Sequence, residues 1–276
     1  MAASLRIAYL GPAGTNSEVA ALKAYPQSEL LSCATIFAVA RAVQSGEADL
    51  GVMPVENSLQ GTITDTVDVL IRDDGLAIRG EIVLDIEHCL MVKPGDPRSS
   101  IEVIYSHPQS LGQCRRYLET NFAATRTEAA LSNSEAVAIA MKTPRSAAIG
   151  PARAADIYGA QILERGIQDS RVNKTRFVVL GREGAPATGR DKTSIAIAVA
   201  HDRPGTLVSV LHEFSDRAIN MTKIESRPSG EELGVYIFLI DIEGHRDDPM
   251  LAQALASVKE QASFFKIFGS YPAFVK

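Results

Sequence analysis

The 276-residue chain has no tryptophan, three cysteines and only 6% aromatic residues. Cys33, Cys89 and Cys114 are odd in number, show no C-x-x-C spacing and have no closely spaced histidines. That pattern encodes neither a disulfide framework nor a zinc site, and the expected compartment is the reducing cytoplasm. The sequence has no apolar run of bilayer-spanning length, and the opening MAASLRIAYLGPAG goes straight into a Gly-Pro turn, as a buried first strand does. An excess of positive charge is missing too. A formal net charge of −5 gives no global field for nucleic acid or an anionic membrane, so neither is expected as a partner and an anionic ligand must be held locally. GPAGTNS lacks the third glycine of a dinucleotide fingerprint and the Gly-Lys-Ser/Thr of a P-loop, and there is no G-x-S-x-G elbow or metal-ligand spacing. No cofactor or metal is therefore expected.

What is present is enough apolar sequence, 46%, for one large domain or two to three small ones. Residues 184–192 (GAPATGRDK) are small, polar and aperiodic, and read as a linker. Upstream, short strands at Leu5–Leu10, Asp49–Val55 and Glu102–Tyr105 alternate with helical patterns. One pattern is Leu59, Ile63, Val67 and Leu70; another is Leu111, Cys114, Leu118 and Phe122; a third helix begins near Pro151. This alternation implies an α/β part with largely parallel sheets. The extended 81–92 segment is long enough to cross between two lobes. Downstream, strands at Thr193–Ala200, Ile219–Ser226, Leu233–Ile242 and Phe264–Gly269 surround one helix opened by Pro204 and another through Leu251 and Val258. The order βαββαβ in about 80 residues is that of the α+β ferredoxin-like split unit.

Three polar clusters each follow a strand where a helix is expected to start: residues 11–17 (GPAGTNS), 56–58 (ENS) and 106–110 (SHPQS). Helix starts offer unpaired N–H groups to anions, and ligands of open α/β sheets bind beyond the strand ends, so three clusters point to one anion-binding cleft. Each cluster alone reads first as helix caps and turn residues, and only their agreement in position favours the cleft. His107 is either a general base or a turn residue beside Pro108; Glu56 is either an acid with a raised pKa or a partner for a cation. His88 and His245 read as structural or solvated. In NKTRF, alternation puts Lys174 and Arg176 on one face of a strand, and Thr175 and Phe177 on the other.

The stretches GPAGTNSEVAA, PVENSLQGTITDTVDVL, SHPQSLGQC and NKTRF, followed by GTLV and ESRP, together resemble the prephenate dehydratases with a C-terminal ACT regulatory domain. The likeness covers nearly the whole chain, with Asn16 where the family usually has an aromatic residue and Thr206 where it usually has alanine. It implies a two-lobed periplasmic-binding-protein-like catalytic domain at 1–183 (lobes about 1–79 plus 160–182, and 80–159) and an ACT domain at 193–276. The implied reaction converts prephenate to phenylpyruvate, carbon dioxide and water, under feedback by L-phenylalanine. Thr175 is then the hydrogen-bond donor or relay to the leaving hydroxyl. Arg176 and the helix starts at Thr15, Ser17 and Ser58 hold the surviving carboxylate, Asn57 and Gln109 orient the substrate, and Phe177 walls off its ring. Glu56, Ser106 and His107 complete the expected site. Gly205, Thr206, Leu207, Val208, Asn220, Glu225, Ser226, Arg227 and Pro228 are the expected effector site in a homodimer or homotetramer. Arogenate as the substrate and a non-catalytic amino-acid sensor are the rival readings.

Overall fold

The computed structural model describes residues 4–199, 204–230 and 235–274. In chain order the elements are β1 (Arg6–Leu10), α1 (Asn16–Ala24), β2 (Glu29–Cys33), α2 (Ile36–Gln44), β3 (Leu50–Asn57), β4 (Gly61–Thr62), α3 (Thr64–Arg72) and β5 (Ala77–Asp85). There follow β6 (Cys89–Val92), β7 (Val103–Ser106), α4 (Pro108–Gln113), α5 (Arg115–Asn121), β8 (Arg126–Ala129), α6 (Asn133–Ala140), β9 (Ser146–Gly150), α7 (Ala152–Tyr158) and β10 (Gln161–Arg165). The last are β11 (Lys174–Gly181), β12 (Asp191–Val199), α8 (Thr206–Ser215), β13 (Met221–Pro228), β14 (Tyr236–Glu243), α9 (Pro249–Gln261) and β15 (Ala262–Pro272).

By packing, the chain forms two compact units: residues up to Thr66 with Ile82–Phe177, and Val67–Glu81 with Val178 onward. Two sheets organise the two-lobed α/β part, in the orders β2-β1-β3-β11-β5 and β10-β6-β9-β7-β8. The chain passes from the first sheet to the second between Asp85 and Cys89, inside the segment expected to cross. β10 pairs with β6, so the return to the first sheet starts at β11 and not near residue 160. The second sheet is mixed: β7 runs parallel to β8 and β9, but β6 is antiparallel to β9 and β10. Its core packs Leu90, Ile104 and Ile149 against Cys114, Leu118 and Phe122. That apolar face survives a break in the helix at Cys114 (φ −111°, ψ 18°), which separates α4 from α5.

The expected helix through Leu59 and Ile63 starts only at Thr64. β3 continues through Glu56 and Asn57 and turns back in a hairpin, Glu56 facing Thr62 and Asn57 facing Gly61. Asn57 Oδ1 accepts the Leu59 N–H at 3.1 Å and Gly61 takes φ +81°, so the turn is an Asx turn ended by a left-handed glycine. Ser58 therefore lies at no helix start. Its hydroxyl accepts the Lys174 N–H at 2.9 Å and donates to Val172 O at 3.0 Å, tying the hairpin to the approach to β11.

In the second unit, β13-β14-β12-β15 form an antiparallel sheet with α8 and α9 on one face, packed through Ile195, Ile197, Val210, Phe214, Ile240 and Leu255. α8 begins at Thr206, after Gly205 at φ +93°, two residues later than Pro204 implied. β12 begins at Asp191, whose carboxylate accepts the Thr188 hydroxyl and the Thr188 and Gly189 N–H groups. The expected strand ends at Ala200 and Leu233 lie outside the described residues. Lys192 pairs with Glu81 at 2.8 Å, and Lys266 reaches the carbonyls of Ile71 and Asp73 and the carboxylate of Asp74, so the sheet holds α3 and β5.

Candidate active site

The first unit encloses a cavity of about 340 Å³. Two helices open onto it with the same local device. Thr15 accepts the Glu18 N–H, and Glu18 reaches back to the Gly14 N–H; Ser132 accepts the Glu135 N–H, and Glu135 reaches back to Leu131 N–H. These are T-x-x-E and S-x-x-E variants of the capping box, and they fix the starts of α1 and α6 while the remaining first-turn N–H groups keep no intrahelical partner. Thr15, Asn16, Ser17, Ser132 and Asn133 all line the cavity. The two lobes also meet behind it. Arg153 of α7 pairs with the buried Glu18 at 3.1 Å, and Ser134 donates to Ala13 O.

β11 supplies the opposite wall. Thr175 and Phe177 line the cavity, while Lys174 pairs with Asp85 at 2.8 Å. Arg176 is only 15% exposed, lies 3.6 Å from Glu56, and neither residue is in the lining. Alternation along the strand is the reason: the face that presents Thr175 cannot also present Arg176. Of the open readings of Glu56, the observed geometry is that of a partner for a cation. Asn57 Nδ2 donates to Thr175 Oγ1 at 3.0 Å and to Asn173 Oδ1 at 2.9 Å. Because Thr175 accepts from Asn57, its own hydroxyl hydrogen remains available to a ligand.

His107 and Gln109 also line the cavity. His107 caps α4 through Nδ1, which accepts the Gln109 N–H at 3.3 Å, and burial lowers its pKa, which favours the neutral ring. Ser106 is fully buried and donates to Ile149 O at 2.8 Å; it joins β7 to β9 and stays out of the lining. Sequence reasoning missed His88, Gln113, Ser132 and Asn133, all in the wall. The Ser132-x-x-Glu135 pair was the one available signal for the last two. Among the described lining residues there is no Lys, Arg, Asp or Glu. The cavity therefore offers neutral donors, helix starts and the Phe177 ring.

Of the expected effector residues, Gly205, Thr206, Leu207 and Val208 open α8, and Glu225, Ser226, Arg227 and Pro228 end β13. The registers Ile197 to Phe238 and Ser226 to Phe238 put both groups at one end of the sheet. Asn220 precedes β13 and accepts the Glu243 N–H through its carbonyl. Arg227 pairs with Asp68 of α3 at 2.6 Å, and Glu225 with Lys223 at 3.2 Å.

Fold and cavity together define a small-molecule-binding protein built from a two-lobed α/β part and a βαββαβ part. The family model of prephenate dehydratase matches residues 7–185, and that of the ACT domain residues 193–260. The chain is 40% identical over 269 residues to a bifunctional chorismate mutase/prephenate dehydratase of Stutzerimonas stutzeri, covering 97% of this chain and 73% of that one. It is 41% identical over 289 residues to arogenate dehydratase/prephenate dehydratase 6 of Arabidopsis thaliana, covering 98% and 69%. A prephenate dehydratase from Arthrobacter aurescens, solved in complex with L-Phe, superposes with a TM-score of 0.90 at 31% identity, covering 98% of this chain and 90% of that one. The chain belongs to the prephenate dehydratase family, with an ACT domain at its C-terminal side.

Proposed function

We propose that the protein converts prephenate to phenylpyruvate, carbon dioxide and water, and that L-phenylalanine regulates it. The observation that carries this reading is the Thr175 hydroxyl, set in the cavity wall with its acceptor side taken by Asn57 and its hydrogen free. Aromatisation drives the reaction, and the barrier lies largely in expelling hydroxide. A positioned hydrogen bond to that oxygen, strengthening as the C–O bond breaks, lowers it. A threonine hydroxyl is a weak acid, so its part is donor or relay.

The substrate's two carboxylates need opposite treatment. The one that survives can be bound firmly, and the capped starts of α1 and α6 provide N–H groups and positive partial charge for it. The one that leaves gains nothing from a tight ion pair, which would stabilise the ground state. Described lining residues that include no lysine or arginine suit both demands. Arg176 acts from behind the wall as the partner of Glu56, Phe177 packs against the ring, and Asn57 and Gln109 orient the substrate.

Arogenate is the second reading, supported by the relative named for both activities. Its amino group would be served by a carboxylate, and none of the described lining residues supplies one; the keto group of prephenate needs none. The protein would act in the cytoplasm, a reading supported by three buried free thiols. A homodimer or homotetramer is supported by β13 standing at the sheet edge with Ile224 exposed. Turnover of prephenate and arogenate, measured side by side with and without phenylalanine, tests the proposal. Turnover of prephenate, slowed by phenylalanine, is expected. Turnover of arogenate alone would transfer the assignment, and turnover of neither would leave the sensor reading.

A further inference from the structure

The amide side chains at the cavity wall form one chain of hydrogen bonds whose direction is set by a backbone group. The Leu59 N–H donates to Asn57 Oδ1, and a backbone donor cannot reverse, so Asn57 Nδ2 must face Thr175 and Asn173. Asn173 Oδ1 accepts from Asn57, so Asn173 Nδ2 is the end that donates to Gln113 Oε1, at 2.9 Å. The second neighbour of that same oxygen is His88 Nε2, at 2.7 Å. Two acceptors cannot meet at that distance, so the ring carries a proton on Nε2, and in the neutral ring Nδ1 is then bare.

The mechanism above makes no use of His88. The residue is 2% exposed, its backbone N–H is held by Gln168 Oε1 at 2.9 Å, and its ring stands in the cavity wall. Among the described residues, His88 Nδ1 and Gln113 Nε2 are buried without a partner. Orphaned groups of this kind are rare in protein interiors and call for a reason. Gln113 also lines the cavity, and both acceptor directions of its oxygen are spent inside the wall. The amide nitrogen is the end left for a ligand.

We propose that His88 is a positioning residue whose Nε2–H locks the Gln113 carboxamide with its Nε2 end presented to an acceptor oxygen of the bound substrate. The choice of prephenate as that substrate rests on the reading above. Burial keeps the ring neutral, as the assigned tautomer requires.

Counted in bonds from Cα, a glutamine amide nitrogen stands where Nε2 stands, and an asparagine amide nitrogen where Nδ1 stands. His88→Asn should lower kcat/KM for prephenate about 10- to 100-fold, since small misplacements of a positioning group cost that much. His88→Gln should restore most of the loss. In a double-mutant cycle, His88→Asn added to Gln113→Ala should cost no more than Gln113→Ala alone. Equal impairment in the two His88 variants, or full additivity with Gln113→Ala, overturns the proposal. Nitrogen NMR of the wild-type ring gives a readout that needs no substrate: a neutral Nε2–H tautomer is expected, and an Nδ1–H tautomer overturns the proposal. If that tautomer is found but prephenate is not turned over, the functional reading fails and the positioning geometry stands.

Discussion

Thr175 is only 9% exposed, and what it can do depends on which of its hydrogen-bonding roles the wall has already used. Asn57 Nδ2 donates to its oxygen, so Thr175 already serves as an acceptor and its own hydrogen is left for donation. Thr175→Val keeps the shape and removes the donor. It should lower kcat about 10²- to 10³-fold, the usual cost of one transition-state donor. KM should change little, and a raised KM with kcat intact would assign Thr175 to ground-state binding instead. His88 and His107 add a pH dependence of stability. Burial holds both below the ordinary histidine value of 6.5, against the raising effect of the Gln113 bond at His88. An unfolded chain then binds more protons than the folded one as the pH drops below about 6.5. Their stabilising contribution is complete above that value and is lost as the pH falls through the lowered folded values. Melting curves between pH 8 and 5 should show falling stability on the acid side, with a shallower slope in His88→Gln.

Among the elements, α1 and α6 matter through their first turns, because those turns shape the cavity. Gly14 precedes the Thr15 cap at φ +84°, and a Cβ there would stand 2.6 Å from Ser134 Oγ and 3.0 Å from Ala154 Cα. Gly14→Ala should therefore cost about 1–3 kcal/mol for the left-handed backbone and the clash. The change is readable as a lower denaturation midpoint, and a raised KM should accompany it because the α1 start shifts. The break between α4 and α5 is a finding of the same scale. Apolar spacing reported the buried face correctly, but the backbone could interrupt the helix at Cys114 without moving that face. The missing first turn of α3 has another cause. Asn57 and Gly61 close a tight hairpin there, and turn chemistry prevailed over apolar periodicity.

At the scale of the whole molecule, Arg227, one of the expected effector residues, is paired with Asp68 on α3. Phenylalanine at about 100 times its Kd should stabilise the protein by about 2.7 kcal/mol by mass action. The expected readout is a raised Tm, and the rise should shrink in Arg227→Ala; an unchanged Tm and no calorimetric heat would remove phenylalanine as the effector. The α/β part, the βαββαβ part and the strand face that carries Thr175 were legible in the chain itself. Strand and helix periods, glycine and proline punctuation, and the NKTRF alternation are local properties that residues carry wherever they are placed. Which polar residues share the cavity was not legible. Glu56, Ser58, Ser106 and Arg176 stand beside true lining residues in sequence, yet the hairpin, the strand pairing and the pleat turn them elsewhere. His88, Gln113 and Asn133 come from distant segments and meet only when the sheets assemble. The sequence alone determined the family's elements and the strand face on which Thr175 stands. Tertiary structure decided the uncharged cavity and the direction of its hydrogen bonds, because both depend on partners brought together across more than a hundred residues of chain.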